Sequence, residues 1–272
     1  MKLSVCIITL NEEANIGRTL KSVQPLVADG QGETIVVDSG STDKTVEIAK
    51  SYGAKVFTEP WKGFAAQKNS AIDKAQGKWI LSLDADEEVT EALSGMLAHY
   101  LRDSEFGEAT NTGFWIRRVN LFENRPMKHG GFGEKKIRAF TRGAGRFKNV
   151  PVHEDIELTG KAVDPTRWYH PSDGCHLLHH AYPTLSGYVE HMNKYSSLGA
   201  EMEVEKGRKG FSLINIVIRP WLTFVYNYIF RLGFLDGKEG LLLHLYHATY
   251  VSWKYAKVWE LTRKHRSGTK MP

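Results

Sequence analysis

Short apolar runs alternate with stretches of helical periodicity over the first 100 residues. Strands are predicted at "LSVCIITL", "ETIVVDSGS", "AKVFTE" and "KWILSLD", and helices at "NEEANIGRTLKSV", "KTVEIAKSYG" and "GFAAQKNSAIDKAQG". Alternation of strand and helix at this spacing is typical of a parallel sheet with helices on both faces. The predicted fold class of this half is therefore α/β, with ligands bound at the carboxyl ends of the strands.

The pattern changes after about residue 110. The runs "TGFWIRRVNLF", "KKIRAFTR" and "GRFKN" predict short strands, and the glycine-rich "KHGGFGEK" breaks them apart. We expect an antiparallel patch beside the parallel sheet, forming the far wall of a cleft. The predicted organisation is one domain over residues 1–182, with halves 1–100 and 101–182, followed by a helical region over residues 183–272.

The helical region contains an apolar run of twenty residues from Phe211 to Phe230, with Arg219 and Pro220 in its middle. A central arginine costs about 2.5–3.5 kcal/mol on membrane-insertion scales, so a spanning helix is not favoured. The pattern instead predicts helices lying at a bilayer interface, helped by a basic C-terminal stretch. The expected aromatic anchors are Trp221, Tyr226, Tyr228, Trp253, Tyr255 and Trp259. A helical tail packed on the rest of the chain, or a dimer interface, remains an alternative.

Composition and charge restrict the possible functional classes only slightly. The 272 residues are 42% hydrophobic and 25% charged, with a net charge of +5 and a pI of about 9.0, which suggests an anionic partner without choosing one. Two cysteines, Cys6 and Cys175, exclude a disulfide framework and a cysteine-rich zinc site, and fit a reducing compartment. The N-terminus lacks the basic start and long apolar stretch of a secretory signal, so none is expected.

Polar side chains follow three of the four predicted strands, at one edge of the predicted sheet. They are Thr9, Asn11 and Glu12 after the first strand, Asp38, Ser39 and Gly40 after the second, and Asp84 and Asp86 after the fourth. Carboxylates gathered in one cleft repel each other and raise each other's pKa, and a divalent cation would relieve this. Oxygen ligands favour Mg²⁺ or Mn²⁺, which commonly share their coordination with substrate phosphates. We therefore expect Asp86 to bind a metal that holds a diphosphate.

The motifs "VCIITLNEEANI", "IVVDSGSTDKT" and "LSLDADEEV" resemble, in order and spacing, family 2 glycosyltransferases of the GT-A fold. The resemblance covers about the first 180 residues. The later "HHAYPTLSGYVEHMNKYSSLGA" and "GFLDGKEGL" are similar to the lipopolysaccharide-core branch, whose members transfer glucose in β linkage onto an inner-core heptose. This implies a UDP-hexose donor, a lipid-linked saccharide acceptor, and a peripheral position on the cytoplasmic face of the inner membrane.

The resemblance also implies roles for individual residues. Asp38 would bond the uracil or ribose, Asp84 would face the ribose, Asp86 would bind the metal, and His179 would lie close to the diphosphate or metal. The nucleotide pocket would further include Thr9, Asn11, Glu12, Ser39, Gly40, Lys68 and Asn69.

The general base is expected within His153-Glu154-Asp155. Family members commonly carry Glu-Asp here with the aspartate as base, but this stretch resembles a "VHE" variant, so Glu154 is favoured over Asp155. Arg138 and Arg146 would contact phosphate or an anionic acceptor, or else be solvated strand residues. The arginine–tryptophan signature that usually follows the base is not evident, which leaves the acceptor side open.

Other functional classes fit less well. A nucleotidyltransferase usually has a glycine-rich, lysine-bearing phosphate loop, whereas "ITLNEEANIG" is acidic, and a nicotinamide-dependent oxidoreductase needs a G-X-G-X-X-G that is absent. Nucleic-acid binding is not expected, because basic and aromatic residues fall mainly in the apolar last third. A glycosyltransferase for another glycolipid or polysaccharide, and a non-catalytic membrane-associated scaffold, remain alternatives.

Overall fold

The computed structural model describes residues 2–102, 110–148, 155–164, 174–208 and 211–267, without the side chains of 102 and 264–267. The chain forms two compact units. The first comprises Met1–Val119 and Glu134–His180, and the second comprises Asn120–Gly133 and Ala181–Pro272.

The first unit is built on four parallel strands in the order β3-β2-β1-β4. These are β1 (Leu3–Thr9), β2 (Gly32–Asp38), β3 (Lys55–Thr58) and β4 (Trp79–Asp84). Helices α1 (Ile16–Val27), α2 (Thr45–Ser51) and α3 (Phe64–Asp73) connect them. The alternation predicted from the sequence is confirmed, because strands of β-branched and apolar residues that are covered on both faces read as continuous apolar runs.

The sheet continues beyond β4 in the order β4-β8-β6-β12-β5, and the β4–β8, β8–β6 and β12–β5 pairs are antiparallel. The further elements are β5 (Glu87–Val89), α4 (Glu91–Arg102), β6 (Thr112–Phe122), β7 (Arg125–Pro126), β8 (Glu134–Thr141), β9 (Gly145–Phe147), β10 (Ile156–Leu158), β11 (Lys161–Val163) and β12 (Leu177–Tyr182). Strands β9 and β10 pair separately. The three strands predicted in this stretch correspond to β6, β8 and β9.

Apolar side chains cover both faces of the first unit's sheet. Val5 and Ile7 of β1 belong to the core on one face, and Cys6 and Ile8 belong to the core on the other. Cys6 is 2% exposed, and burial raises the pKa of its thiol to about 12, so it is an inert packing residue.

The second unit is mainly helical. It contains α5 (Leu185–Glu205), a π-helical stretch (Ile214–Ile218), α6 (Arg219–Val225), a second π-helical stretch (Tyr226–Phe230), a 3₁₀ turn (Gly233–Asp236) and α7 (Gly237–Ser267). Phe122, Met127, Tyr188, Met192 and Leu243 form its core. Within the described residues, no helix is both long enough and apolar enough to cross a membrane.

The structure corrects the predicted set of aromatic anchors in this unit. Tyr255 is only 3% exposed, and its hydroxyl accepts a hydrogen bond from Arg219 at 2.8 Å. Trp253 packs against the core of the unit. Both side chains turn inward because α7 buries one of its faces, whereas Trp221, Tyr226 and Trp259 remain exposed.

Candidate active site

Strand register brings the predicted polar residues to one edge of the sheet. Thr9 at the end of β1 lies opposite Asp38 at the end of β2, and Ile8 lies opposite Asp84 at the end of β4. Because all three strands run in parallel, their carboxyl ends open on the same side. The loops that follow them therefore build one site.

Asp38 shapes the turn after β2. Its Oδ2 accepts hydrogen bonds from the backbone N–H groups of Gly40 and Ser41, each at 2.9 Å, and its Oδ1 accepts one from the Ser41 hydroxyl. Gly40 has a φ of +94°, and the space where a Cβ would stand is open. The turn thus presents a bare backbone at the edge of the sheet, which suits close approach of a ligand.

The loop after β1 is bonded to the loop after β2. The Asn11 N–H donates to the Ser41 hydroxyl at 2.8 Å, and the Asn11 side-chain oxygen accepts from the Thr42 N–H at 2.9 Å. The Glu12 N–H donates to the Thr45 hydroxyl at 2.8 Å. Asn11 and Glu12 therefore fix the two loops against each other, a positioning role that the sequence pattern did not indicate.

Thr9 is 5% exposed, and its hydroxyl has no hydrogen-bond partner within the described residues. The Ser39 hydroxyl is in the same situation. Buried hydroxyl groups are almost always paired, so two unpaired hydroxyls at one sheet edge mark a place where a polar ligand would bind.

Asp84 is held by two cations. The Lys68 Nζ lies 2.8 Å from its Oδ1, and an Arg138 nitrogen lies 3.2 Å from its Oδ2. Burial by itself would raise the pKa of the Asp84 carboxyl, but the charges of Lys68 and Arg138 outweigh burial and hold the pKa well below its ordinary value. Asp84 is therefore ionised, and most of its charge is balanced within the protein.

Glu87 stabilises residues 84–88, which we call the acidic turn, from within the core. It is fully buried; its Oε2 accepts from the Asp84 N–H at 3.0 Å, and its Oε1 accepts from Arg138 at 2.5 Å. Arg118 adds a longer contact at 3.4 Å. Sequence reasoning missed Glu87 because it stands in an acidic run that resembles a solvated loop.

Neither arginine singled out from the sequence is free for a ligand. Arg138 is 3% exposed and pairs with Asp84 and Glu87, so it is not a solvated strand residue. Arg146 forms two hydrogen bonds with Asp73 on the surface, at 2.8 and 3.0 Å, which matches the solvated alternative.

Asp86 lies beside His179, whose Nε2 is 3.2 Å from its Oδ2. The antiparallel pairing of β12 with β5, in which His179 lies opposite Glu87, delivers the imidazole to this point. Burial would raise the pKa of the Asp86 carboxyl, but His179 outweighs it and lowers the pKa. Burial raises the pKa of Glu12, and the nearby charges of Asp86 and Asp84 add to that rise.

A carboxylate and an imidazole this close can both bind one divalent cation. Among the described residues, no group of three or more histidine, cysteine, aspartate or glutamate side chains is placed to hold a metal. Asp86 and His179 therefore fit a metal that takes its other ligands from a diphosphate and water, as Mg²⁺ and Mn²⁺ commonly do. These two side chains alone do not provide a complete set of metal ligands.

Of the two predicted bases, Asp155 lies within the described residues. Glu154 lies outside the described residues. The Asp155 side chain is 68% exposed, and its Oδ1 lies 3.6 Å from the Lys136 Nζ. It lines a small polar cavity of about 40 Å³ together with Asp84 and Lys68. The structure thus brings Asp155 to the same cavity as the acidic turn.

Asn69 is engaged with β9 of the first unit. Its Nδ2 donates to the Phe147 carbonyl at 3.0 Å, and its Oδ1 accepts from the Phe147 N–H at 3.0 Å. Both ends of the amide are therefore used to hold the strand that precedes residues 149–154. Asn69 therefore positions β9, whereas Lys68, the preceding residue of α3, reaches Asp84.

The fold is similar to that of the mannosyltransferase PcManGT from Pyrobaculum calidifontis, which was solved in complex with GDP-Man and Mn²⁺. The TM-score is 0.55 at 16% sequence identity, and the match covers 95% of this chain and 87% of that chain. At this identity the similarity concerns the fold alone, and it confirms the predicted GT-A class.

Sequence comparison gives the family. The family model described as Glycosyl transferase family 2 matches residues 4–153 of the 272. An uncharacterised glycosyltransferase of Rickettsia typhi is 30% identical over 271 residues, covering 98% of this chain and 89% of that protein. The lipopolysaccharide core biosynthesis glycosyltransferase LpsC of Rhizobium meliloti is 29% identical over 268 residues, covering 96% and 93%. The chain therefore belongs to glycosyl transferase family 2.

Proposed function

We propose that this glycosyltransferase is a metal-dependent, inverting hexosyltransferase that acts on a lipid-linked saccharide. UDP-glucose is the donor we favour, a lipopolysaccharide inner-core heptose the acceptor, and the new linkage is β. The observation that carries the proposal is the pairing of Asp86 with His179 next to the Asp84–Lys68 pair. The similarity to LpsC, a lipopolysaccharide core biosynthesis glycosyltransferase, supports the acceptor class.

The nucleotide would bind along the edge formed by β1 and β2. The unpaired hydroxyls of Thr9 and Ser39 offer hydrogen bonds, and the bare backbone at Gly40 allows close approach. The remaining lone pairs of Asp38 would meet the base or ribose. Its carboxylate is already fixed by the turn, so little conformational entropy would be lost on binding.

A divalent metal on Asp86 and His179 would stabilise the charge that develops on the leaving diphosphate. The protein prepares this position in two ways. His179 lowers the pKa of the Asp86 carboxyl, which keeps it ionised, and Glu87 fixes the backbone of the turn at Asp84. Lys68 places a further positive charge at the same edge, held by Asp84 at 2.8 Å.

The acceptor hydroxyl needs a base, because it is a poor nucleophile at neutral pH. A carboxylate of Glu154 or Asp155 would take its proton as the oxygen attacks the anomeric carbon from the face opposite the diphosphate. The bond between that carbon and the phosphate oxygen breaks, so the configuration inverts and an α-linked donor gives a β product. Glu154 remains the base favoured by its sequence context, and the position of Asp155 beside Asp84 makes it the direct competitor.

A lipid-linked acceptor is presented at a membrane surface. We therefore also propose that the protein works as a peripheral protein on the cytoplasmic face of the inner membrane. The alternative of a non-catalytic scaffold is less favoured, because it gives no reason for a buried cation network that keeps Asp84 ionised.

The test is release of nucleotide and transfer of sugar by the purified protein. A panel of UDP- and GDP-sugars is assayed with Mg²⁺ or Mn²⁺, with and without a truncated lipopolysaccharide-core acceptor. We expect metal-dependent UDP release from UDP-glucose that the core acceptor stimulates. Stimulation only by another glycolipid would retain the enzyme class and reject this acceptor.

Variants then assign the roles. We expect Asp86→Asn to abolish transfer, while Asp73→Asn, an exposed carboxylate paired with Arg146, keeps normal turnover. Glu154→Gln and Asp155→Asn are compared directly. Near-normal turnover of Glu154→Gln together with loss in Asp155→Asn would reject Glu154 as the base.

A further inference from the structure

The segment from Phe211 to Leu235 in the second unit has an unusually exposed apolar surface. We call it the apolar segment. Phe230 is 73% exposed, Leu213 is 68%, Phe211 is 65% and Trp221 is 61%. Its other exposed apolar residues are Ile214, Val217, Ile218, Leu222, Tyr226, Ile229, Leu232, Phe234 and Leu235. Contiguous apolar surface of this kind marks an interaction site, because a protein in water gains free energy by covering it.

The apolar segment is anchored from behind. Ser252 on α7 donates a hydrogen bond to the Ile216 carbonyl at 3.0 Å, and Arg219 donates to the Tyr255 hydroxyl at 2.8 Å. Pro220 is buried. The polar contacts of Ile216 and Arg219 are made with α7, and the apolar side chains named above remain exposed.

The charge of the segment has one sign. Its 25 residues include two arginines, Arg219 and Arg231, and no aspartate or glutamate. Both arginines are exposed, and the Arg231 guanidinium lies 5.8 Å from the centre of the Tyr226 ring. Arginine and tyrosine beside apolar side chains are typical of the level where lipid headgroups meet acyl chains.

A groove also opens on this surface. It has a volume of about 360 Å³ and is lined by Ile214, Ile218, Leu222 and three amphipathic side chains, those of Arg219, Thr223 and Tyr226. An apolar groove with a cation at its rim matches an acyl chain joined to an anionic headgroup. In a symmetric dimer through this surface, the arginines of one copy would face the same segment of the other copy. That segment has no aspartate or glutamate to pair with them.

We infer that the apolar segment is the surface by which this protein docks on a bilayer containing anionic phospholipid. Its apolar side chains enter the boundary of the acyl region, and the exposed Arg231 meets the phosphates. This replaces the predicted reliance on Trp253 and Tyr255, which pack inward. Only the purpose of docking, bringing the site to a lipid-linked acceptor, rests on the proposed function.

Vesicle co-sedimentation of the full chain tests the inference. The probes are vesicles of phosphatidylcholine alone and vesicles of phosphatidylcholine with phosphatidylglycerol. The test variant combines Leu213→Ser, Trp221→Ser and Phe230→Ser, which change exposed side chains. The matched control is Trp61→Ser, because Trp61 in the first unit is also exposed, at 48%. Arg231→Gln tests the charge.

We expect the wild type to bind the mixed vesicles more tightly than the neutral ones, with the difference shrinking as salt is added. The triple variant should bind about a hundredfold more weakly, which corresponds to about 2.8 kcal/mol at 1.4 kcal/mol per tenfold. Trp61→Ser should bind like the wild type. Arg231→Gln should bind the mixed vesicles more weakly than the wild type does and bind the neutral vesicles as the wild type does.

Unchanged binding of the triple variant would overturn the inference. So would a wild type that binds neither vesicle and elutes as a dimer that the triple variant dissociates, because the face would then be a contact between copies. UDP release without lipid is measured in parallel for every variant. Docking without any transferase activity would reject the proposed function and leave the docking surface standing.

Discussion

The arginine beneath the acidic turn offers the sharpest test of how the site is held together. Arg138 is 3% exposed and pairs with Glu87, which is fully buried, and with Asp84. Arg138→Met keeps much of the side-chain volume and removes the charge. As a cationic partner Glu87 then keeps the more distant Arg118, at 3.4 Å, while Asp84 keeps Lys68 at 2.8 Å.

Breaking a buried ion pair by removing one partner costs about 3–5 kcal/mol, because the other charge stays buried without compensation. We expect the lower end, about 3 kcal/mol, since Arg118 and Lys68 each retain part of the attraction. Arg146→Met is the matched control. It removes an arginine from a pair with Asp73 whose side chains are 58% and 56% exposed, and such pairs contribute about 0–1 kcal/mol.

Urea denaturation followed by circular dichroism measures both free energies of unfolding. The double variant Arg138→Met/Glu87→Gln removes both charges, and the glutamine oxygen can still accept from the Asp84 N–H. We expect it to regain at least about 1 kcal/mol over Arg138→Met alone. The reasoning is refuted if Arg138→Met costs no more than Arg146→Met, or if the second substitution adds its full cost instead of restoring stability.

Three further predictions test other parts of the molecule. His179→Gln should weaken Mn²⁺ affinity in calorimetry with UDP by about tenfold or more, because even outer-shell partners contribute tens-fold. His180→Gln should leave that affinity unchanged, since its partner is Glu88; equal losses would reject the assignment. Burial lowers the pKa of His247 from 6.5 to about 4. The unfolded chain therefore takes the proton first, and the free energy of unfolding falls as the pH drops from 6.5 to 4. His247→Phe should flatten that slope in urea titrations, and an unchanged slope would contradict this. Gly95→Ala, within α4 and with open space at its Cβ, should stabilise the protein by about 0.5–1 kcal/mol, whereas Gly77→Ala should destabilise it, because a Cβ there would lie 2.6 Å from the Leu3 carbonyl carbon. Thermal melts that rank the two the other way round would contradict the packing argument.

The parallel half of the fold was predictable because its signals are local. The run "LSVCIIT" is buried along its whole length as β1, and the polar residues begin where the strand ends. Parallel strands that all end at one edge must bring those residues together. Asp38, Asp84 and Asp86 could therefore be placed at one site from their positions in the chain.

The supports of the site were not predictable, because they are long-range. Glu87 and Arg138 are 51 residues apart, and His179 reaches Asp86 only through the pairing of β12 with β5. In the sequence, Glu87 is one of several adjacent acids, and no local pattern distinguishes the buried one. Burial there depends on which strand covers β5, which a short segment alone does not determine.

The direction in which each aromatic side chain of the second unit faces was not predictable either. Periodicity predicted helices, and the apolar run suggested an interfacial position, but the facing of each ring depends on its neighbours. Tyr255 is buried, and Arg219, 36 residues away, donates a hydrogen bond to its hydroxyl. Arg219, whose charge argued against a membrane-spanning helix in the sequence, therefore also holds the apolar segment to α7.

The two aspartates of the turn differ in what surrounds them, and this separates their roles. Asp84 is balanced by Lys68 and Arg138, so little of its charge is left for a ligand. Asp86 faces His179, whose imidazole can itself bind a metal. Asp84 is therefore occupied by contacts within the protein, and Asp86 is the carboxylate to which the proposed function assigns the metal. The Arg138→Met variant removes a support of the turn and leaves Asp86 and His179 unchanged. Its free energy of unfolding should therefore fall by more than its free energy of Mn²⁺ binding.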